Sequence, residues 1–182
     1  MSQTTRRPIS LQGRSSRGLE ERIYLRFRWL LMFATRAAWR LPPHSRSRRA
    51  VILRVAQIGF DAINRGDFKS SFLLYHPDVE FITPPHFVAL GFDRVYRGLK
   101  ARFDFQRKWT LEWGEMRFEP AEVIDMGDRL LFVGRVKGTG VSSGAEFATE
   151  WAVLLTLSAG QLTREQPFFD HREAFEAVGL SE

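Results

Sequence analysis

Cysteine is absent from all 182 residues of the chain. A disulfide framework and a thiolate metal site are therefore excluded, and the absence suits a reducing cytoplasm. Histidine is nearly as scarce: His44, His76, His86 and His171 are scattered and lack the i, i+4 spacing that presents two imidazoles to one metal. No metal is expected, and nothing calls for a cofactor. Lysine occurs four times against 23 arginines, an imbalance that reads as the high-GC coding bias of a bacterial genome. Long apolar runs are missing too. The longest, Trp29 to Ala34, falls far short of the roughly 20 residues that a bilayer span needs, and no small-residue cleavage site follows it as in a secretory signal.

What is plentiful is aromatic and apolar surface: 44% of residues are hydrophobic, with 16 Phe and five Trp, enough for one domain with a real core plus an appendage. The net charge of +6 is unevenly placed. Residues 1–50 hold twelve Arg against Glu20 and Glu21, or +10, which leaves +6 minus +10, or −4, for the remainder. The basic character therefore belongs to an N-terminal arm, and no specific nucleic-acid partner is expected for the globular part.

Residues 1–18, rich in Ser, Arg, Gly and Gln, carry too little apolar surface to fold alone and read as a disordered basic tail. Residues 19–46 read as an amphipathic basic helix and Pro-rich linker. From Leu19 to Leu41, Ile23, Phe27, Leu30, Leu31, Ala34 and Ala38 form one helical face, with Arg22, Arg26, Arg36 and Arg40 opposite, and Pro42-Pro43 ends the helix. Either the apolar face packs on the domain or a second subunit, or residues 19–41 lie on an anionic membrane surface, which would make the protein peripheral to the inner membrane.

A second helix follows, with Val51, Val55, Ile58 and Ala62 in one row and Ile52, Gly59 and Ile63 in the next, and with Arg48, Arg49 and Arg54 expected on its exposed side, facing solvent or a partner. Ser45 or Ser47 can cap it. Gly66 suits the left-handed position that closes this helix, Asp67 can cap a short helix after it, and Pro77 is expected to stop that helix before a strand from Asp78. The Gly98–Trp113 stretch reads as a further helix, with Arg102 laying its stem on apolar surface and its head in solvent. Three long strands are expected over Met116–Met126, Leu130–Val136 and Phe147–Leu157, then a closing strand over Gln161–Phe169 and a short helix capped by Asp170. Phe147–Leu157 is apolar on both faces, which predicts a homodimer through the sheet.

The Asn64-x-Gly66-Asp67 corner, the His76-Pro77-Asp78-Val79 run, Tyr96-Arg97-Gly98 and the turn at Leu157–Leu162 together resemble the nuclear transport factor 2-like superfamily, in particular its ketosteroid isomerase and SnoaL-like polyketide cyclase branch. The resemblance covers roughly residues 47–180 and implies an α+β fold: a cone-shaped, curved, mostly antiparallel sheet packed on N-terminal helices, here with an extra amphipathic helix in front. It places the domain at residues 47–182. Against the isomerase pattern, the tyrosine position falls on Gly59, the base on Thr83 and the second acid near Ala152 or Val153, so all three catalytic groups are missing and ketosteroid isomerisation is not supported.

The cyclase pattern points instead to Asp170 as acid–base group, although Asp170-His171-Arg172-Glu173 equally reads as a capping box. Glu150 is the other candidate, either buried beside Trp151 or turned outward to Arg135 or Arg164. Phe60, Thr83, His86, Trp109, Trp113, Arg135, Trp151, Gln166 and Phe168 are expected to line the pocket, with Arg164 and Glu165 as further polar candidates. A cone lined this way predicts binding of a small hydrophobic molecule of polyketide, steroid or terpenoid type, with or without cofactor-independent isomerase or cyclase chemistry. The alternative is a non-catalytic dimerisation or membrane-docking module.

Overall fold

A computed structural model describes residues 5–9, 11, 13, 16–114, 116–141 and 144–180. The expected disordered tail lies partly outside these residues, but Thr5–Pro8 forms a strand, β1. Arg6 explains why so polar a segment is held. Its Nε donates to Glu122 at 2.7 Å and its guanidinium lies 5.0 Å from the Phe175 ring.

The predicted single N-terminal helix is two, α1 (Leu19–Arg26) and α2 (Arg28–Trp39). Phe27 leaves helical geometry at φ −128°, ψ 63°, and the break lets the two halves meet different surfaces. On α1, Glu20 and Glu21 pair with Arg54 and Arg65, far along the chain, whereas α2 buries Leu31, Thr35 and Ala38. Arg28 fixes the junction by donating to the Leu73 and Tyr75 carbonyls, both at 2.9 Å.

Helix α3 (Arg46–Asn64) begins at Ser45, whose side chain accepts from the Arg48 amide. Arg48 is not on an exposed side as expected. It is buried, forking onto Asp125 with both bonds at 2.8 Å, donating to the Leu41 and Gly127 carbonyls, and stacking 4.6 Å from the Trp39 ring. A buried guanidinium is tolerated because its donors and charge are met, and here it ties the α2–α3 connection to the sheet. Gly66 takes φ +70°, and Asp67 caps α4 (Phe68–Ser71), as the sequence implies. The next strand starts earlier than Pro77 predicts: β2 runs Tyr75–Ile82, with Pro77 inside a register shift where no ladder donor is required.

After β2 come α5 (Pro85–Ala89), β3 (Val95–Arg97), α6 (Gly98–Trp113), β4 (Met116–Asp125), β5 (Arg129–Thr139), β6 (Glu146–Ser158), β7 (Gln161–Phe168) and α7 (His171–Glu176). The seven strands form one sheet in the order β1-β4-β5-β6-β7-β2-β3, antiparallel except where β2 and β7 run parallel. Bulges bend it, one of them in β4 between Pro120 and Glu122, opposite Gly134. The backbones meet so closely there that a Cβ on Gly134 would stand 2.2 Å from the Glu119 carbonyl oxygen.

The bent sheet has two apolar faces. Val123, Leu130, Phe132, Trp151 and Val153 pack with α3 residues on the concave side. Leu131, Val133, Ala152, Leu154 and Phe168 lie on the convex side, beneath Ala174 and Phe175 of α7. Within the chain, Ala174 and Phe175 of α7 cover Ala152 and Leu154 of β6. Helix α2 closes the concave side. At the β6–β7 turn Gly160, at φ +78°, lies so near α2 that a Cβ would come 2.6 Å from the Arg36 nitrogen and 2.8 Å from the Thr35 carbonyl carbon.

Candidate functional site

Between α2, α3, α6 and the concave face is a cavity of about 170 Å³. Its walls are mostly apolar. Leu31, Thr35 and Trp39 come from α2, Ile52, Gly59 and Phe60 from α3, and Phe132, Trp151 and Leu157 from the sheet. Phe60 is fixed by edge contacts to Phe132 at 5.3 Å and Trp151 at 5.7 Å. Gly59 adds free volume, since a Cβ built there meets nothing within 4 Å, and it leaves the cavity without the hydroxyl that the isomerase pattern has at this point.

One end of the cavity is polar. Arg102 and Gln106 stand one turn apart on α6, Tyr75 begins β2, and Glu165 projects from β7. Arg102 Nε donates to Glu165 Oε2 at 2.8 Å, Arg102 Nη2 to Glu165 Oε1 at 3.1 Å, and Arg102 Nη1 to Gln106 Oε1 at 3.0 Å. Tyr75 Oη donates to Glu165 Oε2 at 2.8 Å. The guanidinium lies 4.4 Å from the Phe81 ring, 4.9 Å from Phe72 and 5.5 Å from Phe105.

Arg102 is 2% exposed, so the expectation of a solvated head is overturned. The bidentate carboxylate and the ring faces replace water around the cation. Burial alone would weaken that cation, but the facing Glu165 carboxylate outweighs it and holds the Arg102 pKa above its ordinary value. Burial, and then the same negative charge, pushes the Tyr75 phenol well above its ordinary pKa, so it stays a donor. Glu165 is the one carboxylate among the described residues lining the cavity.

The residues expected to line a single pocket are divided. Phe60, Trp109 and Trp151 line the cavity, whereas Trp113 stacks on Trp109 at 5.8 Å without reaching it. Arg135, Gln166 and Phe168 belong to the convex face. On β7 the register pairs Leu155 with Glu165 and Leu154 with Gln166, so the inward positions are Glu165, Pro167 and Phe169, one residue off the expected set.

Thr83, His86, Gln166, Phe168 and Asp170 instead line a second hollow of about 500 Å³ beyond the ends of β2 and β7, which shares Pro84, Pro167 and Phe169 with the first. The buried Thr83 Oγ1 has no hydrogen-bond partner among the described residues. Asp170 caps α7, accepting from the Glu173 amide at 3.0 Å. Glu150 takes the outward alternative, though not with either arginine: it accepts from the His171 amide at 3.0 Å, its side chain 55% exposed. Nε2 of His171 lies 2.8 Å from the Gly134 carbonyl oxygen and 3.2 Å from that of Trp151. Carbonyls only accept, so this nitrogen carries the proton.

Residues 56–165, more than half of the chain, match the SnoaL-like domain family. The chain belongs to that family. Among solved structures, an NTF2-like protein of unknown function from Burkholderia pseudomallei K96243 is similar at a TM-score of 0.61 and 22% identity, covering 68% of this chain and 94% of that one. TerC co-crystallised with polyporic acid reaches 0.60 at 23% identity, covering 70% and 97%. A putative SnoaL-like polyketide cyclase from Jannaschia sp. CCS1 reaches 0.56 at 16% identity, covering 71% and 92%. At these identities the likeness is one of fold, and the fold is the cone expected from the sequence. No curated protein matches the sequence. The family match begins inside α3, so Leu31, Thr35 and Trp39, which line the cavity, lie ahead of the matched region. No helix, among the described residues, is long and apolar enough to cross a membrane.

Proposed function

We propose that this SnoaL-like domain binds a compact, largely apolar molecule carrying one oxygenated end. The observation that carries this reading is an apolar cavity ending on the polar cluster of Tyr75, Arg102, Gln106 and Glu165. Volume sets the class of guest. A cavity of roughly 150 Å³ lined by Leu, Ile and Phe accepts benzene, so about 170 Å³ suits one or two rings rather than a fused four-ring steroid. The amide nitrogen of Gln106 has no protein partner among the described residues and is the natural donor to a ligand carbonyl or hydroxyl. TerC, with the same fold, was co-crystallised with polyporic acid, in keeping with an organic guest in such a cone.

Thermal-shift and calorimetric titration with 1-tetralone, 2-naphthol and naphthalene tests the reading. The oxygenated compounds are expected to raise the melting temperature more than naphthalene, and Gln106→Leu to erase that preference. Absence of any shift across the three would overturn the proposal. A cofactor-independent isomerase or cyclase is the second reading, favoured by one observation: the cavity holds a carboxylate, and it is Glu165, whereas Asp170 and Glu150 lie outside it. On that reading Glu165→Gln loses turnover while Asp170→Asn retains it.

A further inference from the structure

Helix α2 has two apolar sides, and the fold uses only one. Leu31, Thr35 and Ala38 are buried at 2%, 1% and 3% exposure, while on the opposite side Trp29 and Phe33 stand 64% and 71% exposed. Trp29, Phe33, Arg36 and Arg40 follow at spacings of four, three and four, which sets them in one stripe along the outer surface. Ile23, Arg22 and Arg26 of α1 and Phe27 at the break between the helices are exposed as well. Uncovered aromatic surface of this kind marks an interaction site rather than a packing accident.

Charge decides the partner. The acidic residues of the stretch, Glu20 and Glu21, are already taken by Arg54 and Arg65. Arg22, Arg26, Arg36 and Arg40 form no ion pair among the described residues, so the patch presents four unneutralised cations around its aromatic rings. A second copy docking through the same patch about a two-fold axis would set those four arginines against four more. An anionic lipid surface satisfies both features at once, with Trp and Phe at headgroup depth and Arg on the phosphates.

We propose that the outer face of α1 and α2 docks on an anionic membrane surface. The helices lie flat on it, and the wall of the cavity formed by Leu31, Thr35 and Trp39 is turned toward the protein. This goes beyond ligand binding in the cone and does not require it.

The test is co-sedimentation of the full chain with vesicles of phosphatidylcholine alone or mixed with phosphatidylglycerol. Selective binding to the mixed vesicles is expected. Arg36→Ala with Arg40→Ala should lower the partition coefficient about thirty-fold, and Trp29→Ala with Phe33→Ala about ten-fold or more, both with an unchanged melting temperature. Equal binding to both vesicle types, no binding, or wild-type partitioning by the arginine variant would each overturn the proposal. So would light scattering in which the Trp29→Ala, Phe33→Ala variant converts a dimer to a monomer while still sedimenting with lipid, since a second copy would then own the face.

Discussion

Arg102 shows how one side chain can be misjudged by its chemical type when its position on the helix already faces the core. It shares a helical face with the buried Phe105 and Trp109, three and seven residues on, yet its charge led to the expectation of a head in solvent. The sequence could not supply its counter-charge, which lies on β7, 63 residues away. Arg102→Met should leave Glu165 buried and unpaired at a cost of about 3–5 kcal/mol, read by urea denaturation; replacing both by Met and Leu should recover most of that loss. Tyr75 gives the cluster a pH signature. Its folded-state pKa is raised above the ordinary 10.0, so its contribution to stability is complete below about pH 10 and disappears as pH climbs toward the folded value. Melting curves above pH 10 should therefore fall more steeply for the wild type than for Tyr75→Phe, and parallel curves would remove Tyr75 from the account.

Among the elements, those with a strong local signal were legible: α6 spans Gly98–Trp113 as periodicity predicts, and β4 to β7 fall within a few residues of the expected limits. The inward face of β7 was not. Gln161–Phe168 mixes polar and apolar residues without clean alternation, and the register shift between Thr156 and Leu157 moves its parity by one, which exchanged Glu165 for Gln166 in the expected lining. The break at Phe27 has no glycine or proline to announce it; it comes from tertiary contacts of Glu20, Glu21 and Arg28. The seat of α2 on Gly160 is testable. Gly160→Ala must accept a positive φ and push back the Thr35–Arg36 backbone, a loss of about 1–3 kcal/mol, and hydrogen exchange should quicken in α2 before it does in β5.

For the whole molecule, the family and the cone could be read from a handful of spaced motifs, because those residues mark turns that any sequence with this topology must make. The size of the hollow could not, since it depends on how α2, which precedes the matched region, fills the mouth. Leu31→Ala should cost about 2–5 kcal/mol through lost burial and a larger void, while admitting ligands one ring larger than the wild type accepts, a trade that paired denaturation and calorimetry would register.

The parallel seam between β2 and β7 has a kinetic corollary. Tyr75 and Glu165 stand 90 positions apart in the chain, and contacts of such long sequence separation are slow to form, because loop closure must precede any gain from them. The helices can gather early, but the hollow acquires its hydrogen-bonding floor only when that seam zips up. Nascent or partly unfolded chains would thus present a greasy cleft without selectivity, and discrimination among guests would emerge in the closing step of folding.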